Sequence, residues 1–329
     1  MPPALSLSVR AETWPIAGAF AISRGAKTEA QVVVAELSDG RRKGRGECVP
    51  YRRYGETVAG VIGALSAISG RLAPDFDRAA LQQAMPAGAA RNALDCAFWD
   101  LEAKRAGRRA HELAGLPAPQ PLITAYTISF GTPEAMAAAA HAASARKLLK
   151  IKLGGPGDPQ RIAAVRAAAP RCELIVDANE GWSAENLAAN LAACAEAGVT
   201  LIEQPLRADD DSALAGIARP IPVCADESAH DRTSLAALVG RYDAVNIKLD
   251  KAGGLTEALA MAAEARRLGF GLMVGCMVAT SLSMAPALLV AQAARVVDLD
   301  GPLILAKDRP HGLRYEDSLV HPPTAALWG

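Results

Sequence analysis

The chain has 329 residues, more than one typical domain and about right for a (β/α) barrel with an added cap. Lysine plus arginine and aspartate plus glutamate both total 35, so the formal net charge is zero. No long-range field then favours nucleic acid or an anionic membrane, and we expect a small-molecule partner.

The cysteine pattern and the amino terminus bear on the compartment. Six cysteines are spread along the chain without a Cys-x-x-Cys pair: Cys48, Cys96, Cys172, Cys194, Cys224 and Cys276. This spacing argues against a zinc site or a disulfide framework and is typical of buried thiols in a reducing compartment. The stretch beginning Met1-Pro2-Pro3 has no basic segment followed by an apolar run, so we predict no secretory signal and a cytoplasmic protein.

The amino-terminal part of the chain predicts a small α+β unit. Alternating patterns indicate strands at Ser6–Arg10 and Ala30–Leu37, divided by a loop rich in glycine and arginine. Helical stretches follow and end near Ala114. This pattern differs from that of the rest of the chain, so we expect a separate unit.

Proline-rich sequence marks the boundary of this unit. The segment Leu116-Pro117-Ala118-Pro119-Gln120-Pro121 has no helical or strand period. We therefore predict a capping domain over residues 1–118 and a barrel domain over 119–305. The tail, 306–329, is rich in proline and glycine, and we expect it to fold back onto the cap and complete it.

From Ile123 onward, β-rich runs alternate with alanine-rich helical stretches, which predicts a parallel barrel of the TIM type. Eight strands are predicted: Leu122–Ser129, Leu148–Leu153, Glu173–Asn179, Thr200–Gln204, Pro222–Glu227, Ala244–Asp250, Leu272–Met277 and Val296–Asp300. The predicted helices between them include Pro133–Arg146, Asp158–Ala169, Ala184–Ala197 and Thr256–Leu268. The uncharged run Phe270–Ala294 is long enough to cross a bilayer, but polar residues and Pro286 interrupt it, so we predict a strand and a buried helix.

Three carboxylates follow apolar runs at the ends of consecutive predicted strands. Asp177, Glu203 and Asp226 are each separated by about one βα unit. Because side chains at the carboxyl ends of barrel strands converge on one mouth, these charges would repel one another unless a cation lay between them. Hard oxygen ligands predict Mg²⁺, with Mn²⁺ as an alternative. Taken singly, each could instead cap a helix or pair with a basic residue.

Lysines occupy the same predicted mouth. Lys150 and Lys152 lie two residues apart on one strand and therefore point to one face, while Lys248 lies across the barrel. Neighbouring ammonium groups near a divalent cation would lower each other's pKa and leave one able to act as a base. The alternative is that Lys150 is a surface residue and that Lys152 extends to solvent.

A further acid pair and one arginine could bind substrate. Asp298 and Asp300 flank Leu299 on the last predicted strand, and a substrate ammonium would be their natural partner, although a helix-capping pair is the alternative. Arg24 lies in a loop between apolar segments. It could reach a second substrate carboxylate if the cap closes on the mouth, or it could be a solvated surface residue.

Over nearly its whole length, the sequence resembles the enolase superfamily, in its muconate-lactonizing subgroup. The matching segments are Gly46-Glu47, Gly55-Glu56-Thr57, Arg91-Asn92-Ala93-Leu94-Asp95, Phe98-Trp99-Asp100, Lys150-Ile151-Lys152, Val176-Asp177-Ala178-Asn179, Ile202-Glu203-Gln204-Pro205, Ala225-Asp226-Glu227-Ser228 and Asn246-Ile247-Lys248. Together these segments are highly specific for the family, although none is so alone.

The resemblance implies a set of roles. It implies Mg²⁺ held by Asp177, Glu203 and Asp226, and Lys152 and Lys248 as acid and base on opposite faces of a substrate α-carbon. Proton transfer would then pass through a metal-stabilised ene-diolate, chemistry that is general for this superfamily. Lys150 would assist electrostatically, and the residues that orient the ligands would be Asn179 and Glu227.

Within the subgroup, the Asp298 and Asp300 pair resembles that of dipeptide epimerases, which hold the free α-ammonium of the substrate. Arg24 resembles the cap-loop arginine that binds the glutamate side chain in Ala-Glu epimerases. The resemblance implies interconversion of L-Ala-L-Glu and L-Ala-D-Glu during murein peptide recycling, with Lys152 facing the L-substrate proton and Lys248 the D-substrate proton. Three further positions would contact the dipeptide: Thr127, Cys276 and Met277.

Other functions remain open at the level of sequence. An N-succinylamino acid racemase, an o-succinylbenzoate synthase or a cycloisomerase would share the lysines and the metal site, and only Asp298 and Asp300 argue against them. A barrel that binds a ligand without catalysis is a third hypothesis. Members of the superfamily often form dimers or octamers, so a homo-oligomer is also open.

Overall fold

The structure is a computed structural model that describes residues 5–329. The Met1-Pro2-Pro3 segment, on which the predicted absence of a secretory signal partly rests, lies outside the described residues. Across 5–329, no helix combines the length and the apolar character needed to cross a membrane. All six cysteines are free thiols, and all but the half-buried Cys276 are buried.

The amino-terminal unit is an antiparallel sheet covered by helices. Its strands, in the order β1-β2-β3, are β1 (Ser6–Ile22), β2 (Gly25–Ser38) and β3 (Lys43–Cys48). Its helices are α1 (Val58–Ser69), α2 (Arg78–Ala84), α3 (Ala89–Ala106) and α4 (Ala110–Leu113), after a short 3₁₀ turn at Arg52–Tyr54. A Cβ on Gly44 or Gly46 would collide with the backbone of α3, so these two glycines let the helix lie directly on β3.

The first two strands form a longer hairpin than predicted. Their pairing runs from Ser6 opposite Ser38 to Ile22 opposite Gly25, so the loop predicted between Arg10 and Ala30 was wrong. Most residues in that stretch are exposed or half-buried, so they carry little hydrophobic alternation, and the backbone ladder rather than burial maintains the strands. The hairpin ends in a two-residue turn, Ser23-Arg24.

The barrel contains eight parallel strands, as predicted. After a short strand β4 (Leu122–Ile123), they are β5 (Tyr126–Ile128), β6 (Leu148–Lys152), β7 (Glu173–Asp177), β8 (Val199–Glu203), β9 (Val223–Ala225), β10 (Ala244–Ile247), β11 (Gly271–Gly275) and β12 (Val296–Asp298). They pair in chain order from β5 to β12. The Ala125 amide donates to the Val297 carbonyl at 2.8 Å and thereby joins the first and last strands.

Helices connect most of these strands, and one more, α11, follows the last strand. They are α5 (Pro133–Ala142), α6 (Asp158–Ala168), α7 (Ala184–Glu196), α8 (Leu249–Ala252), α9 (Leu255–Arg267), α10 (Ser281–Ala291) and α11 (Gly301–Ile304). The two crossovers between β8 and β10 contain 3₁₀ segments instead, Ser212–Ala215 and Arg232–Leu238. The uncharged run 270–294 is divided between β11 and the buried α10, as predicted.

Three predicted strands differ from the structure in ways that affect the site. Leu122–Ser129 is two strands, because β4 pairs with the tail and only β5 joins the barrel. The strand predicted over Ala244–Asp250 ends at Ile247, and Lys248 precedes α8. The last strand ends at Asp298, and Asp300 precedes α11, so the prediction that both aspartates lie on that strand was wrong.

The tail contacts both units. Strands β13 (Tyr315–Glu316) and β14 (Leu319–Val320) form a small sheet with β4 beside the barrel. Further on, the Trp328 indole donates to the Cys96 carbonyl at 3.0 Å, and the Gly329 amide donates to Asp100 at 2.8 Å. The tail therefore contacts both the barrel side and the capping side, and its assignment to the capping domain stays a prediction.

Candidate active site

The barrel interior is built in layers. The lower layer is a cluster of buried apolar residues, one from each strand or the residue before it: Ala125, Leu148, Ile175, Leu201, Cys224, Ala244, Met273 and Val296. Because side chains alternate along a strand, the next inward layer lies two residues further on. That layer consists of Thr127, Lys150, Asp177, Glu203, Asp226, Asn246, Gly275 and Asp298. An apolar floor thus carries a polar layer at the barrel mouth.

The three predicted metal ligands meet in this layer. One carboxylate oxygen from each of Asp177, Glu203 and Asp226 lies within 4.8 Å of the others, and all three residues are buried. Burial and the Asp177 charge raise the pKa of Glu203 to about 7. For Asp177, burial would raise the pKa, but the Lys152 and Lys150 charges outweigh it and hold the pKa below its ordinary range.

Lysines surround these carboxylates. Lys150 Nζ lies 2.6 Å from Glu203 Oε2, 2.7 Å from Asp298 Oδ2 and 3.1 Å from Asp177 Oδ2. Lys152 Nζ lies 2.7 Å from Asp177 Oδ2, and Lys248 Nζ lies 2.7 Å from Asp226 Oδ2. Lys152 ends β6 and Lys248 follows β10, four strands away in a barrel of eight, so the two reach the mouth from opposite sides.

The carboxylates act strongly on two of these lysines. Burial would lower the pKa of Lys150 and Lys248, yet the surrounding carboxylates outweigh burial and raise both pKa values well above their ordinary range. The expectation that neighbouring ammonium groups and a divalent cation lower the pKa of Lys150 or Lys152 concerns the metal-bound site and stays a prediction. Lys150 and Lys248 are therefore ammonium groups while they are paired in this way.

The carboxylate triad fits a divalent cation. Glu203 Oε2 is buried and accepts no hydrogen bond of acceptable geometry, although the Lys150 ammonium is close to it. Three buried carboxylates on adjacent strand ends offer the hard oxygen ligands that Mg²⁺ and Mn²⁺ prefer. The donor set contains neither thiolate nor imidazole, which would suit softer metals.

The predicted acid pair lies beside the triad but is held differently. Asp298 pairs with Lys150, and its Oδ1 is buried without a hydrogen-bond donor among the described residues. Asp300 Oδ2 accepts a 2.7 Å hydrogen bond from the Thr127 amide. Within residues 5–329, Asp300 has no ion pair with a basic residue, and burial together with Asp298 raises its pKa to about 7.

Arg24 reaches the mouth from the tip of the hairpin. Its guanidinium donates to the Asn179 carbonyl at 2.6 Å and to Glu227 Oε1 at 2.7 Å, and its side chain is 29% exposed. The backbone N–H of Asn179 donates to Asp177 Oδ1 at 2.9 Å, and the role of Asn179 in orienting that carboxylate stays a prediction. Glu227, in contrast, pairs with Arg24.

Several polar residues at the mouth were not predicted. Arg53 holds Glu180 through two hydrogen bonds of 2.8 and 2.7 Å, beside a cavity of about 450 Å³ that Arg24 also lines. Asn246 and Lys251 contact metal-site carboxylates directly. The alternation that joins Asn246 to Lys248 could have identified the former, whereas Lys251 lies on the helical turn α8 and has no strand periodicity.

Two residues predicted to contact the substrate, Cys276 and Met277, directly follow β11 in the chain. Cys276 is half-buried, and burial raises the pKa of its thiol well above the ordinary range. Met277 is buried. Their contact with a substrate, like that of Thr127, stays a prediction.

Family models match most of the chain. The model described as the mandelate racemase / muconate lactonizing enzyme N-terminal domain matches residues 4–115, and the model described as enolase C-terminal domain-like matches residues 134–326.

Curated relatives match almost end to end. The L-Ala-D/L-Glu epimerase of Escherichia coli (strain K12) is 48% identical over 318 residues, which cover 96% of this chain and 99% of that protein. The N-acetyl-D-glutamate racemase of Pseudoalteromonas sp is 44% identical over 300 residues, which cover 91% of this chain and 95% of that protein.

Solved structures agree with this relationship. An enolase family member from Agrobacterium tumefaciens with homology to dipeptide epimerases, solved with bound sodium and L-Ala-L-Glu, is 55% identical with a TM-score of 0.97, covering 99% of this chain and 100% of that one. A dipeptide epimerase from Enterococcus faecalis V583, complexed with Mg and L-Leu-L-Tyr, is 27% identical with a TM-score of 0.91 and 99% coverage of both chains. With both family models matched and relatives this similar across their full length, the chain belongs to the enolase superfamily, among the dipeptide epimerases and their racemase relatives.

Proposed function

We propose that this protein is a magnesium-dependent isomerase that epimerises dipeptides at the α-carbon of the C-terminal residue, with L-Ala-L-Glu and L-Ala-D-Glu as the interconverted pair. The observation that carries this proposal is the pair Asp298 and Asp300, which adds buried carboxylates beside a complete set of metal ligands and lysines. A free substrate ammonium supplies the positive charge that Asp300 does not receive from the protein residues described here.

Asp177, Glu203 and Asp226 would hold Mg²⁺, with Mn²⁺ as the alternative. When bound, the divalent cation draws the substrate carboxylate and lowers the energy of the negative charge that develops as the α-proton leaves. Asn179 and Glu227 would orient the ligands, the first by the hydrogen bond from its backbone N–H to Asp177 and the second from its position next to Asp226 in the chain.

Lys152 and Lys248 are the proposed acid and base. Because they approach from opposite sides of the barrel, one neutral amine can take the α-proton while the opposite ammonium returns a proton to the other face. Lys152 serves the L-substrate and Lys248 the D-substrate. Lys150, which lies within 3.1 Å of three carboxylates, stays an ammonium and acts electrostatically.

The remaining predicted residues would fix the dipeptide. Asp298 and Asp300 bind the α-ammonium, and Arg24 binds the glutamate side-chain carboxylate in exchange for its present partner Glu227. Three residues at the ends of β5 and β11 line the dipeptide: Thr127, Cys276 and Met277. The exchange is feasible because the guanidinium is partly open to solvent.

A second candidate function is racemisation of an N-acylamino acid, the group to which N-succinylamino acid racemases belong. The N-acetyl-D-glutamate racemase relative, at 44% identity, favours it. An acylated substrate has no ammonium, but a protonated Asp300, with its pKa raised to about 7, could donate a hydrogen bond to the acyl carbonyl. The o-succinylbenzoate synthase and cycloisomerase alternatives have no comparable observation in their favour.

Proton NMR in D₂O distinguishes the two candidates. The purified protein with Mg²⁺ is given L-Ala-L-Glu or N-acetyl-L-glutamate, and the glutamate α-proton is followed with and without excess EDTA. Metal-dependent loss of that signal with growth of the L-Ala-D-Glu diastereomer supports the epimerase. Exchange of the α-proton of N-acetyl-L-glutamate, without exchange of that of L-Ala-L-Glu, would support the racemase and reject the epimerase.

The broader setting of the protein follows from the same proposal. We place it in the cytoplasm, in murein peptide recycling, since a free dipeptide is its substrate. A capping domain of residues 1–118 together with 306–329 would close over the barrel of 119–305, and a homo-oligomer is compatible with this arrangement. Small-angle scattering of the purified protein tests the oligomeric state.

A further inference from the structure

Each metal-site carboxylate has one oxygen that accepts a hydrogen bond from a donor other than Lys150, Lys152 and Lys248, the lysines of the barrel mouth. Asp177 Oδ1 accepts from the backbone N–H of Asn179 at 2.9 Å. Glu203 Oε1 accepts from the Asn246 side-chain amide at 2.7 Å, and Asp226 Oδ1 accepts from Lys251 Nζ at 2.6 Å. The second oxygens, Asp177 Oδ2, Glu203 Oε2 and Asp226 Oδ2, face the mouth lysines instead.

Lys251 is held in place by three hydrogen bonds. Its side chain is fully buried, and its ammonium donates to Asp226 Oδ1, to the Asp226 carbonyl and to the Asn246 carbonyl at 3.1 Å. An ammonium has three protons, so all of them are used. Lys251 therefore cannot accept a substrate proton, and its role is to keep one oxygen of Asp226 occupied.

Asn246 connects two of the ligands. Its side chain holds Glu203, and its carbonyl accepts from Lys251, which holds Asp226. The neighbouring strand leaves room for it, because a Cβ on Gly275 would lie 2.7 Å from Asn246 Nδ2. A rotation of Glu203 or Asp226 that offered both oxygens to a cation would break these bonds and leave buried donors unpaired, which is costly.

We infer that Asn246 and Lys251 are positioning residues that restrict Glu203 and Asp226 to one metal-facing oxygen each and so select Mg²⁺ or Mn²⁺ against Ca²⁺. Mg²⁺ takes six ligands in near-ideal octahedral geometry, whereas Ca²⁺ takes six to eight and gains from bidentate carboxylates. A site whose second oxygens are withheld offers Ca²⁺ fewer protein ligands than it can use, which lowers its affinity for Ca²⁺ more than for Mg²⁺. This inference rests on the proposed metal site.

The test is isothermal titration of Mg²⁺ and Ca²⁺ into the full-length protein and its Lys251→Met and Asn246→Leu variants. Removing Lys251 also removes a positive charge, which strengthens binding of either cation, so the quantity to compare is the ratio of the two Kd values. We expect the preference for Mg²⁺ to fall about 10- to 100-fold in both variants, the range typical of residues that orient metal ligands.

Matched controls are Lys104→Met, which removes a lysine 2.7 Å from the buried Asp100, and Asn190→Leu, which removes a buried asparagine on α7. Both should keep the preference of the original protein. An unchanged ratio in folded Lys251→Met and Asn246→Leu proteins would overturn the inference while leaving the metal site intact. If the unsubstituted protein binds neither cation, the proposed metal site fails, and the inference fails with it.

A measurement on the unsubstituted protein covers the case in which the variants do not fold. The splitting between the antisymmetric and symmetric carboxylate stretches in infrared difference spectra is larger for monodentate than for bidentate ligation. We expect a monodentate signature when Mg²⁺ is added. A bidentate signature would contradict the inference without any substitution.

Discussion

Two groups of buried carboxylates in this barrel differ in what neutralises them. Asp177 and Asp226 each lie within 2.7 Å of a lysine, and these charges hold their pKa values below the ordinary range in spite of burial. Asp300 and Asp250 accept hydrogen bonds from uncharged N–H groups, and burial raises the pKa of each to about 7. Among these four aspartates, a cationic partner therefore separates an ionised carboxylate from one that titrates near neutrality. Glu203 does not follow this division, because the Asp177 charge adds to its burial and raises its pKa to about 7 although Lys150 lies 2.6 Å away.

Asp300 and Asp250, the two carboxylates without a cationic partner, differ in whether a ligand can reach them. Asp300 adjoins the polar layer through Thr127, so a ligand can bring it a cation. Asp250 is sealed between the units, where it accepts from the Val49 amide at 3.0 Å and from the Asn92 side chain at 2.8 Å. The first carboxylate is suited to recognition and the second to structure.

The largest effect should come from removing the lysines that pair with Asp177 and Asp226. Lys152→Ala and Lys248→Ala should each lower kcat for epimerisation by about 10²- to 10⁴-fold, because each deletes one general acid or base. Each variant should also lose α-proton exchange of one isomer before the other, as followed by NMR in D₂O. The control is Lys147→Ala, which removes an exposed lysine just before β6, the strand that ends at Lys152. Exchange of both isomers by each variant would contradict the two-base scheme.

A smaller effect should follow from neutralising the acid pair. Asp298→Asn and Asp300→Asn each remove a charge-assisted hydrogen bond to the substrate ammonium, worth about 1.5–3 kcal/mol, so kcat/KM for L-Ala-L-Glu should fall about 10- to 150-fold. Turnover of N-acetyl-L-glutamate, where it occurs, should change little. Equal losses on both substrates would mean that the pair supports the site without recognising an ammonium.

Arg24, at the tip of the hairpin, pairs with Glu227, and its removal should have a smaller effect than neutralising the acid pair. Arg24→Gln should lower the preference for L-Ala-L-Glu over L-Ala-L-Gln about tenfold, less than a buried charge pair because the guanidinium is partly solvated. The ratio of kcat/KM values cancels any general loosening of the hairpin. Arg24 also lies 3.1 Å from Glu180 Oε2, and Arg53→Gln, which removes the other arginine that pairs with Glu180, should keep the ratio. An unchanged preference in Arg24→Gln would remove Arg24 from the recognition site.

The barrel and its polar layer were predictable because they depend on local periodicity. Alternation along each strand placed Lys150 with Lys152, and it placed Asp177, Glu203 and Asp226 at neighbouring strand ends. The hairpin that carries Arg24 was not predictable in the same way, since pairing between strands remote from the core maintains it. The positions of Asp300 and Lys251 depend on helical turns that begin where strand periodicity stops.

The smallest effect should appear at Asp250, and it concerns stability. The pKa of Asp250 is about 7 in the folded protein and about 4 in an unfolded chain. Because the folded state binds this proton more tightly, the stability it contributes is fully present below about pH 4 and is lost as the pH rises through 7. Asp250→Asn stays neutral at every pH and can keep both hydrogen bonds through its carbonyl oxygen.

Asp250→Asn should therefore raise the free energy of unfolding at pH 8 by on the order of 1 kcal/mol, seen as a Tm higher by about 2–4 °C, with a smaller gain at pH 5. Asp100→Asn provides the contrast, because the Asp100 carboxylate lies 2.7 Å from the Lys104 ammonium. Loss of this ion pair should lower the free energy of unfolding at pH 8. If Asp250→Asn were destabilised equally at both pH values, the carboxylate would be ionised and its hydrogen bonds, not its burial, would dominate. The distinction between paired and unpaired buried acids would then not extend beyond the barrel mouth.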